Sequence, residues 1–267
     1  MSIAYRDLVL SRNPVAYWRL GESAGPTAVD ETGQGHNGKY LGNPTFGRPG
    51  AIQGDPNTAV QFHGADWVEI CDSIDFSQPT SQVGLTVEAW MRPDFLAFPG
   101  ESSPDPTSQE NSYVHWLGKG DKGQDEWGLR FYSSEPNSSP AGRPNRMSAY
   151  IWNLAHGKGA GAYVDELVEV GNWIHIVGCY QPGDMNSIPL AGVQLYKNGQ
   201  FKKGPPDKGT LYANPEFAIL PAHGTAPVRL GTRDKASFFF GALDEVAIYP
   251  RVLTADEILE NYETGMA

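Results

Sequence analysis

The stretch that most constrains this chain is its end. In Phe238-Phe239-Phe240-Gly241-Ala242-Leu243-Asp244-Glu245-Val246-Ala247-Ile248-Tyr249, strand alternation assigns Phe240, Ala242, Val246 and Ile248 to one face, with Asp244 among them. A carboxylate on an apolar face must be paired, hydrogen-bonded or metal-bound, because burying it alone is costly. After Pro250-Arg251-Val252-Leu253, the segment Thr254-Ala255-Asp256-Glu257 has the Thr-x-x-Glu form of a capping box. Ile258, Leu259 and Tyr262 then supply the apolar stripe of a short closing helix. A long core strand followed by a capped terminal helix is the first structural commitment.

The rest of the chain reads as short strands. Residues 4–11 form a short helix ended by Pro14, 15–20 a first strand, and 22–43 a glycine-rich loop. Residues 59–62 and 67–71 make a hairpin, and 85–92 alternates Leu85, Val87, Ala89 and Met91 against Thr86, Glu88 and Trp90. Further strands are expected at 113–119, 127–132, 147–152, 172–180, 193–197 and 228–231. Asn198-Gly199 carries the signature of a type I′ hairpin turn. With 31 Gly, 21 Pro and only 19% charged residues, the composition favours many strands joined by turns. The expectation is one all-β, two-sheet antiparallel sandwich over residues 1–267.

Charge and termini narrow the partners. The net charge is −11 with no basic run, whereas a phosphate backbone needs clustered Lys and Arg, so nucleic acid is excluded. The opening Met1-Ser2-Ile3-Ala4-Tyr5-Arg6-Asp7 has neither a basic n-region nor an apolar core, so no export signal or membrane span is expected. Cys71 and Cys179 are read as two buried thiols rather than a bridge. Two Pro/Ser-rich excursions, residues 93–112 and 133–146, are too polar for strands and are read as docking loops.

Four motifs in order carry a resemblance. They are Pro14-Val15-Ala16-Tyr17-Trp18-Arg19-Leu20-Gly21-Glu22 with Asp30-Glu31-Thr32-Gly33-Gln34-Gly35, then Ala59-Val60-Gln61-Phe62-His63-Gly64, Leu85-Thr86-Val87-Glu88-Ala89-Trp90, and the Gly-x-Leu-Asp-Glu-Val strand with its terminal helix. Together they resemble the laminin-G-like, concanavalin A-like jelly roll. The segment from Tyr5 to Glu22 also resembles minor tail proteins of phages that infect actinobacteria. The first resemblance implies a calcium ion at the sandwich edge, with Asp30, the Gly64 carbonyl and Asp244 as ligands. His63 stands where the family often has Asp.

Other chemistry is thinner. Glucanases of this fold place carboxylates on alternate residues of one strand, but Glu166 and Glu169 are three apart and Asp244 and Glu245 are adjacent. The six histidines form no zinc pattern, and Gly118-Lys119-Gly120-Asp121-Lys122-Gly123 reads as a turn. Seven Trp and twelve Tyr are mostly core material, with Trp67, Trp127 and Trp152 near strand ends as the candidates for sugar stacking. The function expected is a non-enzymatic structural or adhesion protein of a phage virion. It would be made in the host cytoplasm, oligomeric in its assembly, docked by the two loops and able to bind host-surface glycans. The alternatives are an extracellular lectin-like protein and a glycan-cleaving enzyme.

Overall fold

A computed structural model describes residues 4–77, 84–98, 113–121, 123–133, 146–154, 159–166, 168–181, 193–202 and 221–267. The elements begin with α1 (Tyr5–Ser11), β1 (Ala16–Trp18), β2 (Thr27–Ala28), β3 (Gly38–Leu41), β4 (Thr45–Pro49), β5 (Thr58–His63) and β6 (Trp67–Ile70). Next come β7 (Leu85–Pro93), β8 (Tyr113–Asp121), β9 (Gln124–Tyr132), β10 (Arg146–Trp152), β11 (Gly159–Asp165) and β12 (Ile174–Tyr180). The chain closes with β13 (Val193–Lys197), β14 (Gln200–Phe201), β15 (Val228–Leu230), β16 (Phe240–Tyr249) and α2 (Ala255–Gly265).

The strands form two antiparallel eight-stranded sheets. One runs β14-β13-β12-β7-β16-β5-β4 with β1 also on β16, and the other runs β11-β10-β9-β8-β15-β6-β3-β2. We call them the first and second sheet. Between them lies the main core, where Leu85, Val87, Ala89 and Met91 of β7 meet Leu129 and Phe131 of β9 and Met147, Ala149 and Ile151 of β10. Trp90, Val246, Ile248 and Ile176 are all buried.

The outer face of the first sheet is covered by the two helices. Tyr5 and Val9 of α1 and Ile258 of α2 pack with Trp90, Val177 and Tyr249 in a second apolar cluster. Beneath them sits a buried carboxylate, Glu88. It accepts from Tyr249 Oη at 2.7 Å and from Asn261 Nδ2 at 2.9 Å, and it meets His175 Nε2 at 2.7 Å. Burial alone would raise the Glu88 pKa, yet these partners hold it below its ordinary value. The capping box is formed, with Thr254 and Glu257 bonding reciprocally at the start of α2.

Three sequence expectations need correction. Period-two alternation fails in β16, because a bulge lies between Asp244 and Ala247 and Glu245 adopts φ +51°. Leu243 and Val246, three apart, therefore both face the inter-sheet core, and Asp244 lies opposite to the face assigned from sequence. The 22–43 segment is not all loop, since it contains β2 and β3, and β4 and β11 were likewise unforeseen. Both cysteines are free, but only Cys179 is buried, whereas Cys71 is exposed.

Candidate functional site

The face that stands out is the outer side of the second sheet, opposite its core side. Alternation along β10 sends Met147, Ala149 and Ile151 inward and leaves Arg146, Ser148, Tyr150 and Trp152 outward. The neighbouring strands add Tyr113 and His115 from β8, Arg130 and Tyr132 from β9, and Tyr163 from β11. Arg233, from the turn after β15, lies over the same layer, 4.8 Å from the Trp152 ring centre.

Glycines shape this layer. Tyr150 pairs with Gly161 and Trp152 with Gly159 across the β10–β11 ladder, and Tyr150 pairs with Gly128 on the other side. A Cβ at Gly161 would lie 2.4 Å from the Tyr150 ring, and one at Gly159 would lie 2.5 Å from the Trp152 ring. Only side chains without a Cβ let these rings lie down along the sheet. They do so side by side, with centroids 5.5 Å apart and planes inclined by 20°. Gly118 plays the same part for the Arg233 stem, whose Cγ is 2.9 Å from where a Cβ would stand.

The cations thread between the rings. The Arg130 guanidinium lies 4.4 Å from the Tyr113 ring centre and 4.3 Å from that of Tyr150. Its Nε donates to His115 Nε2 at 2.7 Å. Burial, then the charges of Arg233 and Arg130, push the His115 pKa well below the usual histidine range, so the ring is neutral and accepts that bond. Arg146 lies 3.8 Å from the Tyr163 ring centre. Arg233 bridges Asp125 at 3.0 Å and Asp234 at 2.6 Å. Burial raises the Asp125 pKa against the pull of Arg233. Burial would also raise Asp234, but Arg233 and the Ala236 amide hold it below its ordinary value. The whole layer is closely packed, with Tyr150 at 0% and Trp152 at 5% exposure.

The aromatic candidates named from sequence separate here. Trp152 belongs to this layer. Trp67 lies half-buried on the same sheet, its ring 5.7 Å from that of Phe238. Trp127 is core: it is fully buried and its Nε1 donates to the Phe76 carbonyl at 2.8 Å, so it offers no platform. Arg130, Tyr150 and the glycines were not singled out from sequence, because only the β10–β11 register sets Tyr150 and Trp152 against Gly161 and Gly159.

The structure does not gather the three expected calcium ligands. Asp30 accepts from the Tyr17, Thr32 and His36 amides and from the Thr32 hydroxyl, which occupies both its oxygens. Asp244 accepts from the Ala51 amide at 2.7 Å and lies near Asn57. Gly64 bonds to the Phe239 carbonyl, five residues before Asp244 in the strand direction. At about 3.3 Å per residue that is roughly 16 Å away, too far for a shared ion. Among the described residues no group of three or more His, Cys, Asp or Glu is arranged to hold a metal. The three residues do not fit a common calcium.

The bulge brings Asp244 and Glu245 together, contrary to the expectation that neighbours face opposite ways. Asn57 Nδ2 lies 3.5 Å from Asp244 and 3.3 Å from Glu245, and Arg19 binds Glu245 and Asp55, each at 2.8 Å. Burial raises both carboxyl pKa values, that of Asp244 further because Glu245 is beside it. Both carboxylates are sealed at 1% exposure, which fits a fastening role. Glu166 is held by Lys197 and Lys202, and Glu169 by Asn172.

Two antiparallel eight-stranded sheets packed face to face make this chain a concanavalin A-like sandwich. Residues 62–259 match the profile of the concanavalin A-like lectin/glucanases superfamily, a laminin-G-like family, and the chain belongs to it. No curated protein sequence matches the chain. Among solved structures it is similar to domain 4 of AbnA, a GH43 extracellular arabinanase from Geobacillus stearothermophilus, in complex with arabinotriose. That match has TM-score 0.58 and 17% identity over 93% of this chain and 98% of that one. The receptor-binding domain of botulinum neurotoxin type G follows, with TM-score 0.56 and 14% identity over 94% of this chain. The binding domain of botulinum neurotoxin DC in complex with SialylT gives TM-score 0.58 and 10% identity over 95%. The chain spans about half the length of those toxin domains, 51% and 52%. At these identities the likeness is one of fold.

Proposed function

We propose that this protein is a non-enzymatic glycan-binding adhesion component of a phage particle, and that it contacts sugar through the outer face of its second sheet. The observation that carries the reading is the half-buried Trp67 on that face, its ring 5.7 Å from that of Phe238. Flat rings stack against the apolar faces of sugars, and neighbouring arginines hydrogen-bond sugar oxygens. Fold relatives solved with arabinotriose and with SialylT support a sugar as the ligand class. The virion assignment rests on the resemblance of residues 5–22 to phage minor tail proteins. Of the loops proposed to dock it, 93–112 and 133–146, residues 99–112 and 134–145 lie outside the described residues. No helix of the described residues is long and apolar enough to cross a membrane.

Two measurements test this. Mass spectrometry of purified particles should find the protein, and a panel of immobilised host-surface oligosaccharides should retain it. Absence from particles together with no retention would overturn the proposal.

One observation favours a second reading, a glycan-cleaving enzyme. Asp125 and Asp234 have pKa values pushed in opposite directions, the pattern of an acid and a base. Both, however, are counter-ions of the one Arg233 guanidinium. Release of reducing ends from the retained oligosaccharides, abolished in Asp125→Asn, would favour the enzyme.

A further inference from the structure

The outer face of the first sheet carries two opposite charges that are held side by side without meeting. Arg92, near the end of β7, and Asp94, just beyond it, are two residues apart and share the outward side, since Met91 between β7's outward residues faces the core. Gln61 of β5 joins them. Arg92 Nη2 donates to Gln61 Oε1 at 3.1 Å, and Gln61 Nε2 donates to Asp94 Oδ2. Neither Arg92 nor Asp94 forms a salt bridge among the described residues. Most other buried or half-buried cations, such as Arg19, Lys119 and Arg229, are spent on carboxylates.

This pair is open to solvent. Arg92, Asp94 and Trp173 are half-buried, and Phe95, next in the chain, is 54% exposed. Nη1 of Arg92 and Oδ1 of Asp94 make no hydrogen bond among the described residues, and neither atom is sealed from water. An aromatic ring stands at either end. The Trp173 ring centre lies 5.2 Å from the Arg92 guanidinium, a contact that orients the planar head. The Phe95 ring, edge-on to Phe240 at 5.7 Å, follows Asp94.

We propose that this surface binds a neutral sugar through two adjacent hydroxyls, one accepting from Arg92 and the other donating to Asp94, with the sugar ring against Trp173. A vicinal diol offers the pattern that the Gln61 amide already offers to the same two groups: one oxygen accepts while its neighbour donates. Hydrogen bonds to ionised groups are the stronger class, and aromatic rings take the apolar faces of sugars. The two charges sum to zero, so an uncharged polyol is matched, whereas an anion would meet Asp94. The site lies on the opposite side of the sandwich from the second-sheet contact proposed above. It therefore goes beyond that reading and stands or falls apart from it.

The test is a titration of the whole, ¹⁵N-labelled protein with neutral gluco-, galacto- and manno-oligosaccharides, followed at the indole N–H signals of its seven tryptophans. Trp173→Phe and Trp67→Phe assign the two signals that matter. Each oligosaccharide has a counterpart whose vicinal diols are cleaved by periodate and reduced. The Trp173 signal should move with at least one intact sugar and not with its cleaved counterpart. Asp94→Asn and Arg92→Lys should each weaken that response about ten- to a hundredfold, the range expected for charge-assisted hydrogen bonds. Should circular dichroism show either variant unfolded, the intact-against-cleaved comparison in the wild type carries the test. Movement of Trp67 alone would overturn this inference and leave the second-sheet reading standing, and movement of Trp173 alone would do the reverse. No movement of either would overturn both. An equal response to cleaved sugars, or one undiminished in folded Asp94→Asn and Arg92→Lys, would remove the diol from this pair.

Discussion

Replacing Glu88 by Gln probes how the helices are held to the first sheet. The carboxylate is fully buried and is reached from four elements: Tyr5 of α1, His175 of β12, Tyr249 of β16 and Asn261 of α2. Glutamine fills the same space but turns one acceptor into a donor. In the Oε2 position its nitrogen meets Tyr249 Oη, which can rotate to accept, and Asn261 Nδ2, which cannot. In the Oε1 position it meets Asn261 Nδ2 and His175. Turning the Asn261 amide over only moves the orphan, because Asn261 Oδ1 now lacks a partner among the described residues and Nδ2 would take its place. One stranded donor costs about 1–3 kcal/mol, and weakening the charge-assisted bonds that remain adds to it. The expected loss is about 2–5 kcal/mol, in line with breaking a buried pair. At about 2–4 °C per kcal/mol for chains of this size, the melting temperature should drop by roughly 4–20 °C. Urea and calorimetric melts at pH 7 measure it.

The pH dependence gives a second readout of the same change. The folded pKa of Glu88 is depressed from 4.5, so its stabilisation is present above that unfolded value and is lost as pH falls through the folded value. The gap between wild type and Glu88→Gln should therefore narrow below about pH 4.5. A loss under about 0.5 kcal/mol, the scatter of harmless surface changes, would refute the account of Glu88 as the tie between helices and sheet.

Four further outcomes are expected. Gly161→Val should lift the Tyr150 ring, since its Cβ would start 2.4 Å from that ring; overpacking of this kind costs about 1–3 kcal/mol, read by urea melts. Thr254→Ala removes the cap of α2 and should cost about 0.5–2 kcal/mol by urea melts. Glu257, held by Arg251 to a pKa of about 2, stabilises above about pH 4.5 and loses that contribution as pH falls toward 2, so Glu257→Gln should flatten the acid limb of the stability curve. EDTA should leave the melting temperature unchanged, because Asp30, Gly64 and Asp244 do not converge; a calcium-dependent rise following mass action would refute that geometry.

What the sequence made legible follows from which patterns have a period. Leu85, Val87, Ala89 and Met91, all on one face, gave β7 and its buried side correctly, and Thr254 with Glu257 gave the helix start, because both signals are local. The turn at Asn198-Gly199 is equally local, and Asn198 indeed adopts φ +51°. The bulge at Asp244 and Glu245 was illegible for the opposite reason. A bulge inserts one residue into a period of two without changing composition, so every side chain before it is assigned to the wrong face. That single slip hid the Asp244–Glu245–Arg19 cluster. The calcium role of Asp244 came instead from the family resemblance, and that carboxylate bonds to the Ala51 amide.

The outer face of the second sheet was hidden differently. Tyr150 and Trp152 look like core residues in any one strand, and Gly159 and Gly161 look like a weak strand or a loop. Only the antiparallel register, Tyr150 on Gly161 and Trp152 on Gly159, turns two unremarkable patterns into rings lying flat. The same holds for Arg130, whose setting among the rings of Tyr113, Tyr150 and Trp152 is a fact about its neighbours in space. Fold signals are thus carried by spacing within a strand, whereas the candidate site is carried by pairing between strands. This chain's function must therefore be argued from the second sheet's outer layer and tested there.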